Sequence, residues 1–201
     1  MLDRHATAFI KPAVDALARV LVRLGISANQ LSLAGFVIGI VAAFLIANNL
    51  YMTGLCAIFI SRLCDGLDGA VARQGQPSDR GGFLDITLDF LFYASIPLAF
   101  AFADAPRNAL AAALLLAAFV GTASSFLAFA VIAAKRGMHS TAYPDKSFYF
   151  LGGLTEATET LALFAAMCVW PQHFAVLAYF FALLCAITIV SRLWWGWTAL
   201  R

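Results

Sequence analysis

Four of the carboxylates in a window of 25 residues are Asp65, Asp68, Asp85 and Asp89, in the stretch CDGLDGAVARQGQPSDRGGFLDITLD. Asp65 and Asp68 are three residues apart and Asp85 and Asp89 four apart, so each pair shares one face of a helix. The intervening QGQPSDRGG is short and rich in turn formers. It makes the two helices antiparallel neighbours and lets all four acids converge. Gly69 and Ala72 lie on the face of the first pair and leave room there for something bulky. Such a cluster needs compensation. Unpaired carboxylates repel one another, and an Asp at the centre of a membrane helix costs roughly 2.5–3.5 kcal/mol. Arg62 and Arg73 can offset two charges. Hard divalent cations do so more completely, because an all-oxygen donor set suits Mg2+ or Mn2+. No His or Cys joins the acids at a zinc-like spacing, and Cys64 points off the Asp65 face. Two divalent ions would balance four carboxylates and clamp the attacking and leaving oxygens of an in-line displacement at phosphorus. These residues by themselves point to metal-dependent phosphoryl or phosphatidyl transfer.

The elements that must hold them are membrane helices. Of 201 residues 63% are hydrophobic and only 12% charged, about half the charged share of a soluble domain, and the mean hydropathy is +0.87. The net charge of +2 gives no basis for a nucleic-acid partner. Cys56, Cys64, Cys168 and Cys185 lie in apolar segments without a CxxC pair and read as reduced core residues. Charges throughout the first 25 residues argue against a cleavable signal peptide. Crossing a hydrocarbon core takes about 20 apolar residues of helix. Six stretches qualify: 30–47, 51–72, 82–103, 108–134, 148–170 and 173–197. The expected fold is all-α and integral to the membrane. Six transmembrane helices form one catalytic domain over 28–201, preceded by an amphipathic juxtamembrane segment over 1–27. In that segment Val14, Leu17, Leu21 and Leu24 recur at helical spacing, and Pro12 suits a first helical position. It reads as a helix lying in the cytoplasmic interface. Gly35 and Gly39 form a GxxxG that lets helices approach closely. Ten basic residues fall in the N-terminal segment, the 73–81 and 135–147 loops and the C-terminus, against Arg107 alone on the other side. Both termini and the acidic stretch are therefore expected at the cytoplasmic face.

DGLDGAVAR followed by GGFLDITLD resembles the signature of the CDP-alcohol phosphatidyltransferase family, D-x2-D-G-x2-A-R with a later G-x3-D-x3-D. Asp65, Asp68, Gly69, Ala72, Arg73, Gly81, Asp85 and Asp89 each fall on a signature position. Seven residues separate Arg73 from Gly81, one fewer than the family usually has. ISANQLSLAG before the first span also resembles the family's lead-in, and the family has a cytoplasmic amphipathic helix followed by six spans. The resemblance implies transfer of a substituted phosphate from a CDP-alcohol to a second alcohol, with release of CMP. It implies that Asp65, Asp68, Asp85 and Asp89 hold two Mg2+ or Mn2+ ions and that Asp89 is the general base for the acceptor hydroxyl. Gly69, Ala72 and Gly81 would let the cytidine nucleotide approach the backbone. Arg73 would support the nucleotide or its phosphates, or serve only as a positive-inside anchor. Asn29 and Ser27 either touch the nucleotide or merely start the first span. A homodimer is implied as well, for which the sequence offers no interface.

The acceptor pocket is less defined. GGLTEATET, at 152–160, interrupts the fifth span with Glu156 and Glu159, which are three apart and expected on one face. They either orient an alcohol or pair with Arg62 or Arg192. Arg62, Arg192, Lys135 and Lys146 are the basic candidates for an acceptor phosphate. Asp79 and Arg80 read as solvated loop charges, His5, His139 and His173 as surface residues, and LWWGW near Trp194 as an interfacial belt. A chain of this build suits a two-tailed donor lipid entering sideways, hence CDP-diacylglycerol, with glycerol 3-phosphate as the first acceptor. Inositol phosphate, serine or a CDP-choline-type donor are the alternatives within the family. An ion- or proton-coupled transporter is the alternative outside it, and a catalytically silent scaffold a third. A bacterial inner membrane is the expected location.

Overall fold

The computed structural model describes residues 2–75, 77–137 and 155–200, with side chains from Pro12 onward. Regular structure among them is entirely helical. α1 spans Leu2–Arg23, α2 Ala28–Ala47, α3 Tyr51–Gln74, α4 Asp79–Ala103, α5 Ala105–Lys135, α6 Ala157–Val169 and α7 Phe174–Ala199, with a 3-10 turn at Pro171–His173 before the last. Among the described residues, four helical stretches are long and apolar enough to cross a membrane: α2, α4, α5, and α7 with its preceding turn. α3 is equally long but carries Arg62, Asp65, Asp68 and Arg73. α6 has 13 residues, and residues 148–154 of the expected fifth span lie outside the described residues.

Local chemistry explains the boundaries. α1 ends at Gly25, whose φ of +77° suits a residue without Cβ. Ile26 N–H donates to Leu21 O and Gly25 N–H to Val22 O, a glycine-terminated helix end. Ser27 then opens α2 with a capping box: its Oγ accepts from Gln30 N–H, and its own N–H donates to Gln30 Oε1. The expected turn at Asn48–Asn49 is present, with Asn49 at φ 63°.

One expectation about α1 is corrected. The helix runs through Pro12 rather than starting there. Its inward stripe is Val14, Ala18 and Leu21, packed against Ala70 and Val71 of α3 and Ala28 and Leu31 of α2. Leu17 and Leu24 are 43% and 70% exposed, as apolar side chains turned to a membrane interface would be. The small Ala18 lets α1 close onto Ala70, and Gln74 Nε2 donates to Asp15 O at 3.3 Å across the same contact.

α2 packs against both α3 and α4, and α5 against α4 and α7. The GxxxG marks that first crossing. Gly35 faces Cys64 Cβ and Ser61 O, and Gly39 faces Phe92 and Ser61 Oγ. Ser61 Oγ donates to Gly35 O at 2.7 Å. Deeper in the core, Phe100 stacks between Tyr51 and Phe174, while Phe164 meets Phe92, Tyr93 and Phe119. Large apolar side chains such as Val120, Phe180 and Val190 remain exposed, as lipid-facing positions do. All four cysteines are free, but only Cys168 and Cys185 are buried; Cys56 is exposed, which corrects its placement in the core. Trp194, Trp195 and Trp197 are exposed near the end of α7, as a belt requires.

Candidate active site

The acidic residues come from two helices joined by the 75–78 link. α3 carries Asp65 and Asp68 in its last three turns, and α4 carries Asp85 and Asp89 early. Ser78 caps α4, its Oγ accepting from Gly81 N–H at 3.1 Å, so Gly81 lies in the first turn of α4 rather than in the link. Asp65, Asp68 and Asp85 each offer an oxygen within 4.8 Å of the others. That spacing and an all-oxygen donor set fit a hard divalent ion. Asp68 is almost fully buried. Its Oδ2 accepts from Ser32 Oγ of α2 at 2.5 Å. Ser32 was not singled out by spacing within the motif, because nothing in the sequence links α2 to α3 at that level. Asp89 belongs to the same group through Arg62. Arg62 Nη1 donates to Asp89 Oδ1 at 2.5 Å and lies 3.4 Å from Asp65 Oδ1. The guanidinium rests on the Phe92 ring, 3.9 Å from its centroid, with Tyr93 at 5.6 Å.

The nucleotide candidates border this cluster. Arg73 Nη1 lies 3.3 Å from where a Cβ on Gly69 would stand, so the guanidinium folds back over that glycine. The open side of Gly81 faces Asn29 Oδ1 at 3.1 Å, which brings the start of α2 to the start of α4. Ser27 acts as a cap, and Ala72 is half-buried.

The acceptor candidates are placed less as expected. Glu156 and Glu159 do not share the flank of a continuous helix. Glu156 is the N-cap of α6 and Glu159 its third residue, and each side chain receives the other's backbone N–H; Glu156 N–H reaches Glu159 Oε2 at 3.2 Å. The pair ties down the start of α6, where backbone donors would otherwise lack partners. Arg62 belongs to the aspartates. Arg192, 9% exposed, projects from α7 to donate through Nη1 to Thr122 O of α5 at 3.0 Å, within electrostatic reach of Glu156. Its buried Nε has no hydrogen-bond partner among the described residues. Lys135 is exposed in the last turn of α5, and Lys146 lies outside the described residues. Asp79 stands in the first turn of α4, Arg80 and His173 are exposed, and His139 and the His5 side chain are outside the description.

Comparison with known proteins agrees with this arrangement. The chain is 50% identical over 201 residues to inner membrane protein YnjF of Escherichia coli, covering 100% of this chain and 98% of that one. It is 38% identical over 89 residues to an archaetidylinositol phosphate synthase of Pyrococcus horikoshii, 43% of this chain and 47% of the relative. The crystal structure of Mycobacterium tuberculosis phosphatidylinositol phosphate synthase with CDP-DAG bound shares the fold, with a TM-score of 0.73 at 23% identity over 92% of this chain and 94% of that one. Residues 25–197 match the family model described as CDP-alcohol phosphatidyltransferase. That match runs from the end of α1 into the last turn of α7, and the chain accordingly belongs to the CDP-alcohol phosphatidyltransferase family, as an integral-membrane enzyme with metal-binding aspartates.

Proposed function

We propose that the protein transfers the phosphatidyl group of CDP-diacylglycerol to the hydroxyl of a small phosphorylated polyol, glycerol 3-phosphate first, and releases CMP. The observation that carries this reading is the convergence of Asp65, Asp68 and Asp85 from two helices, with Asp89 alongside. Asp65, Asp68, Asp85 and Asp89 would hold two Mg2+ or Mn2+ ions; a Mycobacterium tuberculosis relative of the same fold is described in complex with manganese and citrate. Bound there, the ions would supply positive charge opposite the diphosphate and the departing CMP oxygen. Ser32 fixes the orientation of Asp68. Asp89 takes the proton from the acceptor hydroxyl as that oxygen attacks the lipid-linked phosphorus. The phosphoanhydride P–O bond breaks, and its electron pair leaves with CMP. Gly69, Ala72 and Gly81 leave the backbone open to the cytidine nucleotide, with Arg73 and Asn29 at its edge.

A phosphorylated acceptor follows from Arg192. Its buried Nε has no hydrogen-bond partner among the described residues, and a phosphate oxygen would supply a charge-assisted one. Lys135 and Lys146 would add charge, and Glu156 and Glu159 would face the polyol hydroxyls, while Arg62 is taken up by Asp65 and Asp89. Inositol phosphate is the second reading, favoured by the names of the partial relatives: two archaetidylinositol phosphate synthases and a phosphatidylinositol phosphate synthase of Streptomyces avermitilis. Serine would offer Arg192 a carboxylate in place of a phosphate, and the acceptor panel below separates the two. In the membrane, α3 and α6 would complete six spans, since 24 residues of α3 make a helix about 36 Å long. Residues 1–27 would lie along the cytoplasmic interface and 28–201 form the catalytic domain, with the aspartates at the cytoplasmic face. The Escherichia coli relative is called an inner membrane protein, which supports that location.

The test is CMP release by purified protein given CDP-diacylglycerol, Mg2+ or Mn2+, and a panel of glycerol 3-phosphate, inositol 1-phosphate, serine and inositol. Acceptor-dependent release, lost with chelator and in Asp89→Asn, is the expected result. Release with serine alone would overturn the phosphorylated-acceptor reading. No release with any acceptor would overturn the donor.

A further inference from the structure

Arg62 does something the transfer chemistry does not ask of it. The motif supplies four acids for metals, yet this chain places a cation of its own among them. Arg62 stands three residues before Asp65, so helical spacing carries it to the same face. Nη1 lies between two carboxylates, 2.5 Å from Asp89 Oδ1 and 3.4 Å from Asp65 Oδ1. Its side chain is braced as well as paired. The guanidinium lies flat on Phe92, whose ring is fully buried, and Nη2 reaches Ser61 Oγ at 3.4 Å. The three carboxylates gathered within 4.8 Å are Asp65, Asp68 and Asp85, without Asp89. One ion can therefore find its ligands in place, whereas any ion that needs Asp89 competes with Nη1 for the same carboxylate.

We propose that Arg62 is a positioning residue that makes the two metal positions unequal: it holds Asp89 as an internal counter-cation, so the first ion binds to a preformed site and the second binds only by displacing the Arg62–Asp89 pair. The inference rests on the metal-binding reading above and adds an order to it. An Arg on this face keeps the acids neutralised when one ion is bound, without a second ion held permanently. Phe92 gives the displaced guanidinium a surface to stay on, because an aromatic face holds a cation without a carboxylate.

The experiment is a Mn2+ titration of the purified full chain in nanodiscs, read by the EPR signal of free Mn2+ and by the exchange-coupled signal of a Mn2+ pair. Wild type is expected to take one ion at least about tenfold more tightly than the second, and Arg62→Gln to tighten the second by about tenfold while leaving the first unchanged, the scale of one hydrogen bond between charged groups that no longer has to be broken. Arg62→Lys, which keeps the charge, is expected to keep the two affinities apart. Two equal ions in wild type, or a second ion unmoved in Arg62→Gln, overturn the inference and leave the metal site standing. Absence of any Mn2+ binding overturns the metal reading itself. If Arg62→Gln does not fold, the wild-type and Arg62→Lys titrations still decide, because equal affinities in either contradict the proposal.

Discussion

Ser32 reaches Asp68 from a helix that contains none of the acids, and it is the residue with most to lose from a single oxygen. Ser32→Ala removes the hydroxyl that holds Asp68 Oδ2. The expected outcome is a loss of metal affinity of about tenfold, the scale seen when an outer partner of a ligand is removed. A Mn2+ titration checks it, and raising the metal concentration should restore turnover. Asp85→Asn should be more severe, because it takes one of three converging oxygens; bound Mn2+ should fall below detection in the same titration. The aspartates were legible because spacings of three and four place carboxylates on helix faces whatever surrounds them. Ser32 was not, because its contact joins positions 36 residues apart through packing. Glu156 and Glu159 show the reverse failure. An acid followed three residues later by another is a capping pattern, and reading it as the flank of a continuous span overlooked the N–H groups that open a helix.

At the scale of the helices, the crossing of α2 with α3 and α4 sets where the acids stand. A Cβ at Gly39 would lie 2.5 Å from Phe92 Cδ2 and 3.0 Å from Ser61 Oγ. Gly39→Ala must therefore push the ring on which Arg62 rests, and should cost about 1–3 kcal/mol, the usual penalty of overpacking. Gly66 gives the contrast, since nothing lies within 4 Å of its absent Cβ. Gly66→Ala should be neutral or stabilise by up to about 1 kcal/mol, because Ala is the better helix former. Thermal unfolding in detergent separates the two. Helix boundaries from α2 to α5 followed the apolar runs and their turns to within a few residues. In α1, apolar spacing alone does not tell a face that meets protein from one that meets lipid: Val14 and Leu21 pack on the bundle, whereas Leu17 and Leu24 face away from it.

At the scale of the whole molecule, the charge asymmetry predicts one orientation, with Arg80 on the cytoplasmic side and Arg107 on the other. Arg80→Cys, next to the acidic site, should react with a membrane-impermeant maleimide only after the cytoplasmic side is opened. Arg107→Cys, at the start of α5, should react in intact cells. The opposite pattern would invert the molecule and place the aspartates outside. The architecture has a further consequence. α2 touches the helices on both sides of the 75–78 link, and it belongs to the stretch before that link. The two halves of the acidic motif are thus held in register by a third helix rather than by the peptide that joins them. A link one residue shorter than usual then changes little, and the chain tolerates a break. Co-expressed as separate fragments, 1–75 and 76–201, the polypeptide should reassemble into a working enzyme.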